Sequence, residues 1–142
     1  MRPQGVRKED RIALRGVAVA IDGPVKLNFQ LIGTDQPAIG PGKALVMEAI
    51  DREGSISAAG RALGMSYRRI WLLVEGLNTH WRERVVDTKM GGGKSGGAHL
   101  TDFGRTLLET YRAVEGRMMA AATGSDLDWL IAARKQNLTA NP

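Results

Sequence analysis

The sequence predicts a mainly α-helical domain with small β elements, and three observations carry that reading. Between Gly54 and Trp81 two short helical segments meet at Gly64. After them, Val85 to Thr88 and Ala98 to Leu100 read as short strands flanking the glycine-rich run KMGGGKSGGA. From Thr101 onward, Phe103, Leu107, Tyr111, Val114 and Met118 recur along one stripe of a long helix. A helix pair joined at a glycine, then a hairpin, then a long helix, is the order of a winged helix-turn-helix. An N-terminal β-hairpin precedes it. The stripe of the long C-terminal helix exceeds what a small domain must bury.

Each element has a local cause. After a charged tail, apolar runs at Ala13 to Ile21 and Val25 to Ile32 surround Asp22-Gly23-Pro24, which predicts two strands around a turn. Thr34-Asp35-Gln36-Pro37 makes a second turn. Beyond Gly40-Pro41-Gly42, residues Ala44, Leu45, Met47, Glu48 and Ile50 stand at helical spacing, and Gly54 ends that helix. It is placed to support the helix pair from behind. Within the pair, Gly60 sits where a side chain would hold the helices apart, and Gly64 sits where φ turns positive without steric cost. Ile70 and Leu73 are spaced to pack inward. Ser66 is the expected N-cap of the second helix, which puts Tyr67, Arg68 and Arg69 in its first turn and Trp71 and Leu72 in the next. Trp71 and Trp81 are expected in the core or at an interface. Thr101 caps the long helix, and Asp126, Leu127, Trp129, Leu130 and Ala133 suggest one last short amphipathic helix. The expected organisation is a tail and first strand over 1–24, a winged helix-turn-helix over 25–100, a dimerisation helix over 101–122 and a C-terminal tail over 123–142.

Composition narrows the function. The chain has 142 residues, 43% of them hydrophobic, which is enough for one core. Its formal charge of +5 and pI near 10.0 favour a polyanionic partner. Between Arg61 and Lys94, seven basic residues face three acidic ones, whereas the section from Thr101 onward is close to neutral. The absence of cysteine excludes disulfides and thiolate metal sites. With no signal peptide pattern and no apolar run long enough to span a membrane, Val17 to Ile21 included, the expectation is a cytoplasmic protein. In that compartment the Asn137-Leu138-Thr139 sequon is never glycosylated.

The rival chemistries fail on context. Gly91, Gly93 and Gly96 match a dinucleotide-loop spacing, but that loop must open into a helix, and Ala98 to Leu100 reads as strand. Gly93-Lys94-Ser95 ends like a phosphate-binding loop, yet Thr88 stands where its first glycine belongs. His80 and His99 are lone histidines without a second ligand or a nearby nucleophile. No enzyme, metal or cofactor is expected.

The first turn of a recognition helix reaches base edges, so Ser66, Tyr67, Arg68 and Arg69 are the expected DNA contacts. At the wing, Lys89, Gly91, Gly92, Gly93, Lys94 and Ser95 are expected on the phosphates, since glycines let the backbone approach closely and the lysines supply charge. The alternative is a winged-helix interaction module that pairs with another regulator and does not bind DNA specifically; its basic face would be solvation only.

GSISAAGRALGMSYRRIWLLVEGLN followed by GGGKSGGAHLTDFGRTLLETY resembles the DNA-binding domain of the ModE-type molybdate-responsive regulators, relatives of the LysR-type winged helices. The likeness covers roughly residues 27–117. It implies a dimer on double-stranded DNA, paired through the long helix at Phe103, Leu107, Tyr111, Val114 and Met118, on a palindromic operator. Those regulators also carry C-terminal molybdate-binding domains, while this sequence continues only through 123–142. The expectation is therefore a regulator without its own sensing domain, informed, if at all, by a separate molybdate-binding partner.

Overall fold

In the computed structural model, which describes residues 20–89 and 97–135, the other elements are arranged about helix α1 (Pro41–Glu53). Pro41 opens it at a position where a missing N–H costs nothing, and Gly54 ends it in the left-handed region at φ 83°. Ala44, Leu45, Val46, Met47, Ala49 and Ile50 are all buried, so α1 is apolar around most of its circumference, as a helix enclosed on several sides must be.

The expected helix pair follows. Helix α2 (Ile56–Leu63) is capped by Ser55, whose hydroxyl accepts the Ala58 N–H at 3.0 Å. Gly64 turns the chain at φ 69°, and Ser66 caps α3 (Tyr67–His80) by accepting the Arg69 N–H at 3.1 Å. A Cβ on Gly60 would lie 2.8 Å from the Met65 carbonyl oxygen and 3.6 Å from Ile70, so this glycine sets how closely the two helices approach. Ile70, Val74 and Leu77 are the buried row of α3, and Leu73 packs against the core from its margin.

The first sheet region departs from expectation. Strands β1 (Ala20–Asp22) and β2 (Val25–Leu27) pair antiparallel around Gly23, at φ 61°, but the second apolar run does not continue to Ile32 as one strand. Instead β3 (Leu31–Ile32) pairs with β4 (Pro37–Ile39) across a turn in which the Gly33 N–H donates to the Gln36 carbonyl at 2.7 Å. The break has a physical cause. Phe29 turns inward to stack on Tyr111, with ring centroids 5.0 Å apart, and its carbonyl accepts the Tyr111 hydroxyl at 2.7 Å, so it is withdrawn from any ladder. The rest of the run Ala13 to Ile21 lies outside the described residues.

The wing is the antiparallel pair β5 (Val86–Lys89) and β6 (Gly97–Leu100), in register from Val86 opposite Leu100 to Lys89 opposite Gly97. Two devices fix it, one to α3 and one to the end of α1. Asn78 of α3 accepts the Val85 and Val86 N–H groups at 2.8 and 3.0 Å and donates to the Val86 carbonyl at 3.0 Å. The Ala98 N–H donates to the Gly54 carbonyl at 2.9 Å. At the end of α3, the Trp81 indole N–H donates to the Ala38 carbonyl at 3.0 Å and ties that helix to β4.

Thr101 caps α4 (Asp102–Ala121): its hydroxyl accepts the Gly104 N–H at 2.9 Å and donates to the Arg84 carbonyl at 2.6 Å. The helix then docks on α1 through ion pairs. Arg112 meets both oxygens of Glu48 at 2.9 Å and Glu115 at 2.7 Å, and Arg105 meets Asp51 at 3.0 Å. Burial alone would pull the Arg112 guanidinium down in pKa, but the two carboxylates outweigh it and hold the charge more firmly than usual. Glu115 is buried, with one carboxylate oxygen lacking a partner among the described residues. Helix α5 (Ser125–Ala133) closes the described chain and buries none of its residues. The whole is a mainly helical, winged-helix-like fold with small antiparallel β elements.

Candidate nucleic-acid interface

The candidate interface is built on the exposed face of α3, to which the wing is joined through Asn78. Because Ile70, Val74 and Leu77 turn α3 inward, the opposite side of that helix presents Arg68, Leu72, Glu75 and Thr79, flanked by Tyr67 and Trp71. Tyr67, Arg68 and Arg69 all lie on the exposed first turn after the exposed Ser66, and Arg61 of α2 is exposed as well. Among the described residues, none of these three arginines forms an ion pair, whereas Arg82 and Arg84 meet Glu83 and Asp87. Arg68 and Arg69, without an ion-pair partner among the described residues, make the exposed first turn of α3 a positive surface suited to phosphate and base edges.

Lys89 stands exposed at the end of β5 and so at the root of the wing tip. Gly91, Gly92, Gly93, Lys94 and Ser95 lie outside the described residues. Ala98, opposite Thr88 in the wing, is held against the Gly54 carbonyl at the end of α1.

Two features of this surface are not legible in the sequence. Trp71, expected in the core or at an interface, is 41% exposed, and Leu72 is 48% exposed. The inward row of α3 is already complete without them. Next to Arg69 a shallow cavity of about 210 Å³ is lined by Asn28, Gln30, Lys43, Met65 and Leu73. Lys43 donates to the Pro37 carbonyl at 2.8 Å, and its partial burial lowers its pKa. Residues 28 to 43 bear no positional relation to residue 69 that a reading along the chain could detect.

The expected dimer stripe is divided by the structure. Tyr111 is buried within its own chain, and Phe103 and Leu107 pack partly on the same core, Phe103 with its ring 6.4 Å from that of Trp81. Val114 is half-buried and Met118 exposed. The row of α4 that faces the core is Gly104, Leu108, Tyr111, Glu115 and Met119, offset from the apolar stripe and overlapping it at Tyr111. Further apolar surface lies on α5, where Trp129 is 68% and Leu130 60% exposed. His80 is packed, its Nδ1 2.8 Å from the Gly76 carbonyl, and His99 lies 3.9 Å from Asp87. No cluster of three potential metal ligands occurs among the described residues, and no described helix is long and apolar enough to cross a membrane.

This surface and fold define a winged-helix-like protein whose helix α3 exposes a basic first turn. No family model matches the chain. Among individual proteins, 70 residues are 40% identical to the molybdenum transport protein ModE of Azotobacter vinelandii, which covers 49% of this chain and 26% of that protein. The molybdenum-pterin-binding protein MopA of Rhodobacter capsulatus is 33% identical over 95 residues, 67% of this chain and 35% of its own. The DNA-binding transcriptional dual regulator ModE of Escherichia coli (strain K12) is 31% identical over 71 residues, 50% of this chain and 27% of its own. The chain is thus related to the ModE and Mop molybdenum proteins, and it spans about a third or less of the length of these relatives.

Proposed function

We propose that this chain is a sequence-specific DNA-binding transcriptional regulator of the ModE type, acting as a dimer on a palindromic operator. The observation that carries the reading is the exposed, Ser66-capped first turn of α3, which presents Tyr67, Arg68 and Arg69 with no intramolecular ion pair to occupy the arginines among the described residues. A recognition helix enters the major groove with this end. Arg68, on the outermost stripe, reads a base; Arg69 and Ser66 contact phosphate or bases; Lys89 and the loop beyond it hold the backbone. The name of the Escherichia coli relative, a DNA-binding dual regulator, supports the same assignment. Dimerisation brings two recognition helices to half-sites about one DNA turn, roughly 34–36 Å, apart. The surfaces available for it are the outer edge of α4 at Val114 and Met118 and the uncovered α5. The proposed regulator has no molybdate-sensing domain of its own, and any molybdate signal would reach it through a separate molybdate-binding partner.

The test is selection of bound DNA from a random-sequence pool at physiological salt, with and without molybdate. Enrichment of one palindrome in both conditions supports constitutive operator recognition. Enrichment only with molybdate places a sensing role in this chain. With no enriched sequence, and association with another protein that salt does not weaken, the chain would instead be an interaction module.

A further inference from the structure

Water-facing apolar groups on a basic helix call for a ligand that is both polyanionic and locally apolar. Trp71 and Leu72 are such groups, 41% and 48% exposed on a helix whose core-facing row is complete without them. Each lies four residues after a member of the first turn, Trp71 after Tyr67 and Leu72 after Arg68, so the pairs are neighbours on one helix surface. Arg68 and Arg69, four and three residues before Leu72, border the patch. A second protein with an apolar face would have to desolvate those cations, whereas DNA neutralises them with phosphates.

Of the groups that base edges display in the major groove, the thymine 5-methyl is the apolar one. We infer that Trp71 and Leu72 read thymine methyl groups, so that each half-site carries thymine near the base contacted by Arg68. Four residues of helix advance about 6 Å, close to two base-pair steps of about 3.4 Å, which sets that separation at one to two base pairs. Glu75, one turn further along the outer stripe, ends the apolar patch and bounds the methyl-reading segment. This inference rests on the DNA-binding reading above and adds the chemistry by which the second turn of α3 discriminates.

The test uses the palindrome selected by the parent chain. Each thymine in turn is replaced by deoxyuracil, which keeps the pairing and removes only the methyl, and Kd is measured by fluorescence anisotropy. At one or two positions per half-site affinity should fall about fourfold, the equivalent of one buried methyl-sized group. Trp71→Ala or Leu72→Ala should bind the thymine and uracil forms equally at the position it reads, with an unchanged far-UV circular dichroism spectrum. If the parent binds every uracil-substituted operator as tightly as the original, or if both variants keep full sensitivity to the methyl, the inference is wrong while operator recognition stands. If no palindrome is selected at all, the DNA-binding reading falls, and this inference with it. The uracil scan of the parent needs no variant, so a misfolded substitution cannot hide the result.

Discussion

At Gly60 and Gly104 single hydrogen atoms decide how closely a helix can approach its neighbours. A Cβ at Gly60 would press on the Met65 carbonyl at 2.8 Å, and one at Gly104 would press still harder on the Val85 carbonyl. Both obstacles are backbone, which cannot swing aside as a side-chain tip can. Helix propensity alone favours alanine over glycine by about 1 kcal/mol, but overpacking typically costs about 1–3 kcal/mol, so the clash should win at both sites. Gly104→Ala should lower stability more than Gly60→Ala in urea denaturation, and a gain in stability at either would refute the packing argument. On the outer surface, Arg68→Ala should weaken binding to the selected operator by about 1–3 kcal/mol and to random DNA by less; an equal loss on both would make Arg68 a phosphate contact. Tyr111 offers a test against pH. Burial first, then the nearby Glu115 carboxylate, disfavours its phenolate and raises its pKa above the ordinary 10.0. An unfolded tyrosine ionises at its ordinary value, so the stabilisation is complete below that pH and is lost as pH rises beyond it. Lys43, whose pKa is lowered, contributes a slope of opposite sign just below its ordinary 10.5. The comparison that isolates Tyr111 is therefore parent against Tyr111→Phe. The variant should lose about 1 kcal/mol near neutrality with the bond to Phe29, and its stability should fall less steeply above pH 10.

Elements whose signals are local are legible in the sequence, and those whose fate depends on a distant partner are not. The turn at Gly64, the caps at Ser66 and Thr101 and the two arms of the wing each follow from residues a few places apart, and the structure has them where the spacing predicts. The second apolar run reads as one strand because nothing within it reveals that Tyr111, 82 residues later, takes the Phe29 carbonyl. The core-facing row of helix α4 is hidden for a related reason. Its apolar stripe dominates the sequence pattern, yet the row that meets the core includes Gly104, which admits the Val85 backbone, and Glu115, which is neutralised by Arg112. Neither residue counts as apolar in a periodicity. Of the candidate interface, the first turn of α3 is visible from the capping serine, while the exposure of Trp71 and Leu72 depends on which row of α3 the core selects. Thr101 shows how much a single cap can hold: it secures the start of α4 and, through Arg84, the segment leading into the wing. Thr101→Val keeps the shape and removes both hydrogen bonds. It should cost about 1–2 kcal/mol, seen as a fall in Tm of a few degrees. An unchanged Tm would show that the cap and its link to Arg84 contribute nothing net.

For the whole molecule, the uneven distribution of burial argues for a second copy. The core is enclosed around α1, whereas α5 extends from the end of α4 with Trp129 68% and Leu130 60% exposed and Met118 close by in sequence at 42%. Isolated helices of nine residues are not stable in water without packing. A two-fold arrangement would supply that packing, because each copy would bring the same uncovered apolar surface to the other. The same arrangement would couple two recognition helices, so that binding of one half-site raises the effective concentration of the other helix at its neighbour. Replacing Trp129 and Leu130 together by glutamate leaves every buried residue of the domain untouched and places charges on the contact. The parent chain should sediment as a dimer and the double variant as a monomer with the same domain melting transition. On the full palindrome the variant should bind about 100-fold or more weakly, the avidity lost when two sites are no longer linked, while its affinity for an isolated half-site stays unchanged. If the variant remains a dimer, the second copy is held elsewhere, at the edge of α4 marked by Val114 and Met118. If the parent itself is a monomer that binds the whole palindrome no better than a half-site, the proposed dimer fails.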